Sequence, residues 1–180
     1  MGAIRTVADI IRVHGVEKAD SAALIAGQRS LTWGDLYGRA CRMANLLRSA
    51  GVGSQDRVAF LDKNGIEHFE VFYGAALINA VIVDVNWRLA APEVEFIVND
   101  SQAKVLVVGP DFVPVLEAIR PNLTSVNRVL VIGDDYESEL AAHPADDPGV
   151  VQAADDVAFQ VYSSGTTGRP KGVMLTNSNF

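Results

Sequence analysis

Arg57-Val58-Ala59-Phe60-Leu61 and Val81-Ile82-Val83-Asp84-Val85 are two short apolar runs on either side of a longer one at 66–78. Neither short run shows the apolar/polar alternation of a half-exposed strand, so each predicts a strand that is covered on both faces. Gly65 precedes the longer run, whose length is typical of a helix. A strand, a helix and a second strand in this order predict a parallel βαβ unit.

The alternation of strands and helices continues beyond this βαβ unit. Strands are predicted at 104–108 and 128–132, a short helix opens at Pro92, and a further helix spans 111–120. Pro is tolerated in the first turn of a helix because its missing N–H has no partner there in any case. The sequence therefore predicts an α/β fold whose parallel or mostly parallel sheet is flanked by helices.

The first fifty residues predict two helices and a hairpin. The runs 22–25 and 30–33 read as the two strands of the hairpin. Thr32 and Asp35 form a capping-box pattern, and Gly51 is a natural stop for the helix that starts there. The apolar residues of that helix share one face: Leu36, Ala40, Met43 and Leu47. Its arginines lie on the other side, which predicts a solvated face: Arg39, Arg42 and Arg48.

Composition excludes several classes of protein. The 180 residues carry 15 Lys+Arg and 22 Asp+Glu, a net charge of −7, which argues against a general nucleic-acid binder. A single cysteine, Cys41, excludes an internal disulfide or a Cys-based zinc site and is interpreted as a packed small residue. No transmembrane span is predicted, since the longest apolar stretch, 71–83, is shorter than the roughly 20 residues that a span needs. That stretch is interpreted as a core helix and strand, with a homodimer face as the alternative.

The segment 133–156 differs from the rest of the chain. It holds eight acidic residues, two prolines and no Lys or Arg. It predicts a solvated, acidic connection between a first α/β part, 1–132, and the start of a next part, 157–180. A helix cap begins at Thr176, and we expect the chain to be the front part of a longer protein.

Ser163 to Lys171 is the segment that carries chemistry. Four hydroxyl side chains, two glycines and a lysine lie within nine residues, between two apolar strands. Glycines let backbone N–H groups approach an anion, and the lysine supplies a point charge, which together suit a polyphosphate. The spacing is neither that of a Walker A loop nor G-x-G-x-x-G.

The run 162–173, Tyr-Ser-Ser-Gly-Thr-Thr-Gly-Arg-Pro-Lys-Gly-Val, resembles the phosphate-binding signature of the acyl-adenylate-forming superfamily. Leu31-Thr32-Trp33-x-x-Leu36 resembles an early element of that family. The run 72–76, followed by Asn86-x-Arg88-Leu89 and Glu93, resembles its second conserved region. Residues from about 20 onward are most similar to bacterial fatty-acyl-CoA synthetases. The sequence departs from the family pattern at four positions: Ser163 for Thr, Asn79 for Gly, Asp84 for Pro and Asn177 for His.

The resemblance implies an N-terminal portion of the large adenylate-forming domain and a reaction in two halves. A carboxylate attacks the α-phosphorus of ATP, and a thiol, usually that of coenzyme A, then displaces AMP. The residues implied in phosphate binding are Ser163, Ser164, Gly165, Thr166, Thr167, Gly168 and Lys171, with Ser163 nearest to Mg²⁺. The family's catalytic residues and coenzyme A site lie later in such proteins. No catalytic residue is therefore expected here, and the isolated chain is expected to be inactive.

Alternatives remain for the acid, the acceptor and the location. The acid is a fatty acid, or an aryl or amino acid, and the acceptor is coenzyme A or a carrier-protein thiol. A non-catalytic nucleotide-binding module is a further alternative. A cytoplasmic location is expected, although residues 1–6 match the loose myristoylation pattern, so peripheral attachment to a membrane stays open. No second His or Cys lies at ligand spacing from His14, His68 or His143, so no metal site is predicted at these histidines.

Overall fold

The computed structural model describes residues 3–163 and 169–180. Its strands are β1 Ala22–Ala26, β2 Arg29–Thr32, β3 Arg57–Leu61, β4 Val81–Asp84, β5 Val105–Val108, β6 Arg128–Val131, β7 Val157–Ser163 and β8 Lys171–Thr176. Its α-helices are α1 Val7–Glu17, α2 Trp33–Ser49, α3 Ile66–Leu77, α4 Ala91–Asp100, α5 Val113–Ile119 and α6 Asp134–Ala141. Short 3₁₀ turns occupy Pro110–Phe112, Arg120–Asn122 and Asn177–Asn179.

A six-stranded sheet in the order β6-β5-β3-β4-β7-β8 organises the described residues. Its strands pair in parallel except for β7 with β8, which are antiparallel. β1 and β2 form a separate antiparallel hairpin. The predicted α/β fold with a mostly parallel sheet is confirmed.

Both faces of the sheet are covered at its central strands β3, β4 and β5, as their apolar sequences predict. Successive side chains of β3 point to opposite faces: Val58 and Phe60 pack with the helices α1, α2, α3 and α6, whereas Ala59 and Leu61 pack with α4 and α5. Val71 and Val83 are 0% exposed, so the stretch 71–83 lies in the core of the chain itself.

Helix α2 begins at its predicted capping box. The Thr32 hydroxyl accepts a hydrogen bond from the Asp35 backbone N–H, and the Asp35 carboxylate accepts one from the Thr32 N–H. α2 packs closely on α3 at Gly74, where a Cβ would lie 2.5 Å from Cγ of Met43. Cys41 of α2 is 0% exposed, and burial raises the pKa of its thiol to about 12.

The acidic segment differs from the solvated connection that its composition predicts. Residues 134–141 form α6, and Tyr136 and Leu140 are only 2% and 1% exposed. These two apolar contacts fold the segment onto α2 despite its charge, and three of its carboxylates form ion pairs: Glu137 with Arg39, Glu139 with Arg128 and Asp147 with Arg12. The boundaries 1–132, 133–156 and 157–180 stay a prediction, although β7 pairs with β4 in one sheet.

The prediction of a solvated arginine face on α2 is wrong for two of its three members. Arg39 donates to the carboxylates of Glu70 on α3 and Glu137 on α6, with N–O distances of 2.5 and 2.7 Å. Arg42 donates to the carbonyl oxygens of Ala141 and His143. Arg48 is exposed, as predicted.

Candidate phosphate-binding site

The two described ends of the predicted phosphate loop lie opposite each other. Ser163 ends β7, Lys171 begins β8, and the two residues pair in the antiparallel register. Both are exposed, and Lys171 forms no ion pair with any residue in the described ranges. Ser164, Gly165, Thr166, Thr167 and Gly168 lie outside the described residues. The structure therefore brings together Ser163 and Lys171 of the seven predicted phosphate contacts.

Ser163 at the end of β7 and Lys171 at the start of β8 lie at the carboxyl edge of the parallel strands. The last pair between β4 and β7 is Asp84 with Val161. In open α/β sheets, ligands bind in the crevice outside the carboxyl ends of the strands. The ammonium group of Lys171 and the hydroxyl of Ser163 are thus placed at the edge where this kind of fold binds its ligands.

Gly172, next to Lys171 on β8, makes room for two side chains of β7. A Cβ at this position would lie 2.4 Å from Nε2 of Gln160 and 3.2 Å from Cζ of Tyr162. A glycine therefore lets these two side chains lie over β8. Gln160 Nε2 donates a hydrogen bond to the Tyr162 hydroxyl over 3.1 Å.

Tyr162 also contacts α4. Its hydroxyl donates to Oδ2 of Asp100, the last residue of that helix, over 2.7 Å. Partial burial, followed by this hydrogen bond and the charge of Asp100, raises the pKa of the Tyr162 hydroxyl well above its ordinary value. The phenol therefore stays protonated and acts as a hydrogen-bond donor at neutral pH.

A cavity of about 240 Å³ lies beside Tyr162, at the carboxyl ends of β3, β4 and β7. Its lining includes Asp62, His68, Asp84, Trp87 and Tyr162. Nε2 of His68 lies 3.0 Å from both carboxylate oxygens of Asp84, and the His68 ring contacts Phe60 edge-on. Burial raises the pKa of Asp62 above its ordinary value.

No group of three or more His, Cys, Asp or Glu side chains that could hold a metal occurs in residues 3–163 and 169–180. Ser163 offers one exposed hydroxyl oxygen. Mg²⁺ is commonly bound by one or two carboxylates together with substrate phosphates. The role of Ser163 near Mg²⁺ therefore stays a prediction.

Two of the departures from the family pattern have clear structural roles. Asn79 follows α3 with a φ of +58°, a left-handed conformation in which Gly is favoured and Asn is tolerated. Its side chain donates to Ser54 and Asp156. Asn177 is 3% exposed, accepts from the Val7 N–H over 3.0 Å and donates to the Ala153 carbonyl over 3.0 Å.

The contacts of His68 and Asp100 are not predicted by the sequence pattern. His68 occupies one position of an apolar helix, and no local pattern connects it to Asp84, sixteen residues later. Asp84 is notable in the sequence only because the family pattern has Pro at this position. No local sequence pattern marks Asp100, since its hydrogen-bond partner Tyr162 lies 62 residues away.

Residues 11–180 match the family model for AMP-binding enzymes. The chain is 41% identical over 151 residues to the long-chain-fatty-acid–CoA ligase FadD13 of Mycobacterium tuberculosis, covering 83% of this chain and 30% of the relative. It is 33% identical over 178 residues to the fatty acid–[acyl-carrier-protein] ligase ScoC of Streptomyces coeruleorubidus, covering 98% of this chain and 34% of the relative.

The fold agrees with a solved structure of the anthranilate CoA ligase AuaEII in complex with anthranoyl-AMP. The TM-score is 0.92 at 28% identity, over 98% of this chain and 36% of that one. The chain spans about a third of the length of the curated relatives it matches. In the part of the chain that the structure describes, no helix is both long and apolar enough to cross a membrane. The match over residues 11–180, together with this identity to FadD13, shows that the chain belongs to the family of AMP-binding enzymes.

Proposed function

We propose that the complete protein carrying this segment activates a carboxylic acid with ATP and transfers the acyl group to coenzyme A. In the first half, a carboxylate oxygen bonds to the α-phosphorus of ATP and the bond to pyrophosphate breaks. In the second, the thiol sulfur bonds to the acyl carbon, the thiol proton is lost and AMP leaves. The observation that carries this proposal is the pairing of Ser163 with Lys171 at the carboxyl edge of the sheet.

In this reaction, the segment binds and holds phosphate. The Lys171 ammonium is free to neutralise charge on the β- and γ-phosphates, because no described carboxylate pairs with it. Ser163 stands across the hairpin, where its hydroxyl can donate to the same phosphates or contact a Mg²⁺ ion that they carry. Ser164, Gly165, Thr166, Thr167 and Gly168 complete the loop in this proposal, on the strength of the motif. Positioning and charge neutralisation are what such a transfer requires.

The acid is proposed to be a fatty acid, because FadD13 is 41% identical to this chain and is named as a long-chain-fatty-acid–CoA ligase. ScoC and AuaEII support two alternatives, a carrier-protein acceptor and an aryl acid. A cytoplasmic location and a homodimer stay predictions.

The test is acid-dependent ATP–pyrophosphate exchange by the complete protein, with panels of fatty and aryl acids, followed by thioester formation with coenzyme A or a carrier protein. Lys171→Met is expected to raise the KM for ATP about tenfold or more, the effect of one lost charge-assisted contact. Lys18→Met removes an exposed lysine at the end of α1 and is the matched control, expected within about twofold of the natural protein. The isolated 180-residue chain is expected to show no exchange. Exchange that does not depend on an acid, or a Lys171→Met variant with an unchanged KM for ATP, would contradict the proposal.

A further inference from the structure

The end of β7 projects beyond its neighbour in the sheet. β4 pairs with β7 only as far as Val161, whereas β8 pairs with it through Tyr162 and Ser163. In the described residues, the last two positions of β7 are therefore held by backbone pairing on one side only. A two-stranded ribbon is marginally stable on its own, so the base of the phosphate loop needs a second support.

The side chain of Tyr162 provides a contact of this kind. Its ring packs against the apolar cluster on the α4 face of the sheet, and its hydroxyl donates to Asp100 over 2.7 Å. Gln160, two residues earlier on the same face of β7, donates to the same hydroxyl over 3.1 Å. The phenol thus ties the projecting strand end to the last residue of α4 and to the strand itself.

Gly172 belongs to the same arrangement. It pairs with Tyr162 in the register, and a Cβ there would lie 3.2 Å from the Tyr162 ring. An aromatic ring that lies over a glycine on a neighbouring edge strand compensates for the missing side chain. The ring therefore also fixes β8 at the position next to Lys171.

We propose that Tyr162, held by Asp100 and Gln160, is a positioning residue that fixes Ser163 and Lys171 at the base of the loop for binding of ATP phosphates. This inference rests on the function proposed above. Tyr162 itself does not need to touch the nucleotide. The hydrogen bonds of its hydroxyl set the orientation of Ser163, the next residue, and of the paired strand β8.

The test compares two tyrosines that make the same kind of bond. Tyr162→Phe removes the hydrogen bond to Asp100, and Tyr37→Phe removes one of 2.9 Å to Asp147, between α2 and the acidic segment. In the complete protein, Tyr162→Phe is expected to raise the KM for ATP in the exchange assay about fivefold, the effect of one hydrogen bond, with the KM for the acid unchanged. Tyr37→Phe is expected to leave both within about twofold.

Asp100 provides the rescue experiment. Asp100→Ala is expected to reproduce the rise in the KM for ATP, whereas Asp100→Asn keeps an acceptor oxygen and is expected to stay within about twofold of the natural protein. Melting temperatures of all four variants, measured beside the kinetics, separate positioning from general stability.

The outcomes are distinct. An unchanged KM for ATP in Tyr162→Phe, or an equal rise in Tyr37→Phe, overturns the positioning role while the proposed function stands. A natural protein that shows no acid-dependent exchange overturns the proposed function and this inference with it.

Discussion

Arg39→Met would leave the Glu70 carboxylate buried without its cation. Glu70 is 0% exposed, and its two oxygens accept from Nε and Nη2 of Arg39 over 2.5 and 3.2 Å. The Tyr136 hydroxyl donates to the same carboxylate over 2.8 Å. Burial and the nearby Glu70 charge raise the pKa of Tyr136 well above its ordinary value, so the phenol stays neutral and offers Glu70 a hydrogen bond but no positive charge.

The expected loss of stability follows from these contacts. Removing one partner of a buried ion pair costs about 3–5 kcal/mol, because the remaining charge stays out of water. The lower end applies here, about 3 kcal/mol, since Tyr136 keeps one hydrogen bond to the carboxylate. The contact of Arg39 with Glu137 adds little, since Glu137 is 48% exposed. For a chain of this size, about 3 kcal/mol lowers the melting temperature by about 6–12 °C.

The assay is urea unfolding of the chain followed by far-ultraviolet circular dichroism. Arg48→Met changes an exposed arginine of the same helix and is expected to alter the free energy of unfolding by less than about 0.5 kcal/mol. The double variant Arg39→Met/Glu70→Gln removes both charges, keeps an acceptor oxygen for the Tyr136 hydroxyl and is expected to recover most of the loss. A loss below about 1 kcal/mol in Arg39→Met, or a double variant no more stable than the single one, would refute the assignment of Arg39 as the neutralising partner.

Two further predictions concern titratable groups. Cys41 is 0% exposed, and burial raises the pKa of its thiol to about 12. At about pH 8, a thiol reagent is therefore expected to label Cys41 only after the chain is unfolded in urea. Rapid labelling of the folded chain would contradict this prediction. Burial alone would raise the pKa of Asp147, but hydrogen bonds from Arg12, the Gly149 N–H and Tyr37 together lower it below the ordinary 3.8. A carboxylate whose pKa is lowered on folding stabilises the fold at pH values above its unfolded pKa, and this stabilisation is lost as the pH falls through its folded pKa. The cost of Asp147→Asn in melting temperature should therefore be constant above about pH 5 and shrink below about pH 4. An Asp147→Asn cost that does not shrink below about pH 4 would count against this ion pair.

Much of the fold could be predicted from local patterns. The βαβ unit around 57–85, the hairpin before it and the capping box at Thr32 all depend on residues close together in the chain, and the structure contains each of them. The phosphate signature is equally local, since a loop that cradles an anion is built from consecutive residues. The roles of Ser163 and Lys171 in phosphate binding stay a prediction from this motif, and the structure shows that the two residues pair.

Other features could not be predicted from composition alone. The segment 133–156 is acidic enough to suggest a solvated linker, yet α6 is folded onto α2. Charge alone does not decide whether a helix is exposed. Arg39 and Arg12, which pair with Glu137 and Asp147 of this segment, lie about a hundred residues or more earlier in the chain.

By itself, the sequence determined the class of fold and the family signature, because periodicity, capping and glycine spacing act over a few neighbouring residues. Only the tertiary structure decided that Glu70 is neutralised by Arg39, that His68 meets Asp84 and that Tyr162 is anchored by Asp100. These contacts join residues that only the sheet order and helix packing bring within hydrogen-bond distance. A one-dimensional pattern does not encode which of many charged side chains will meet.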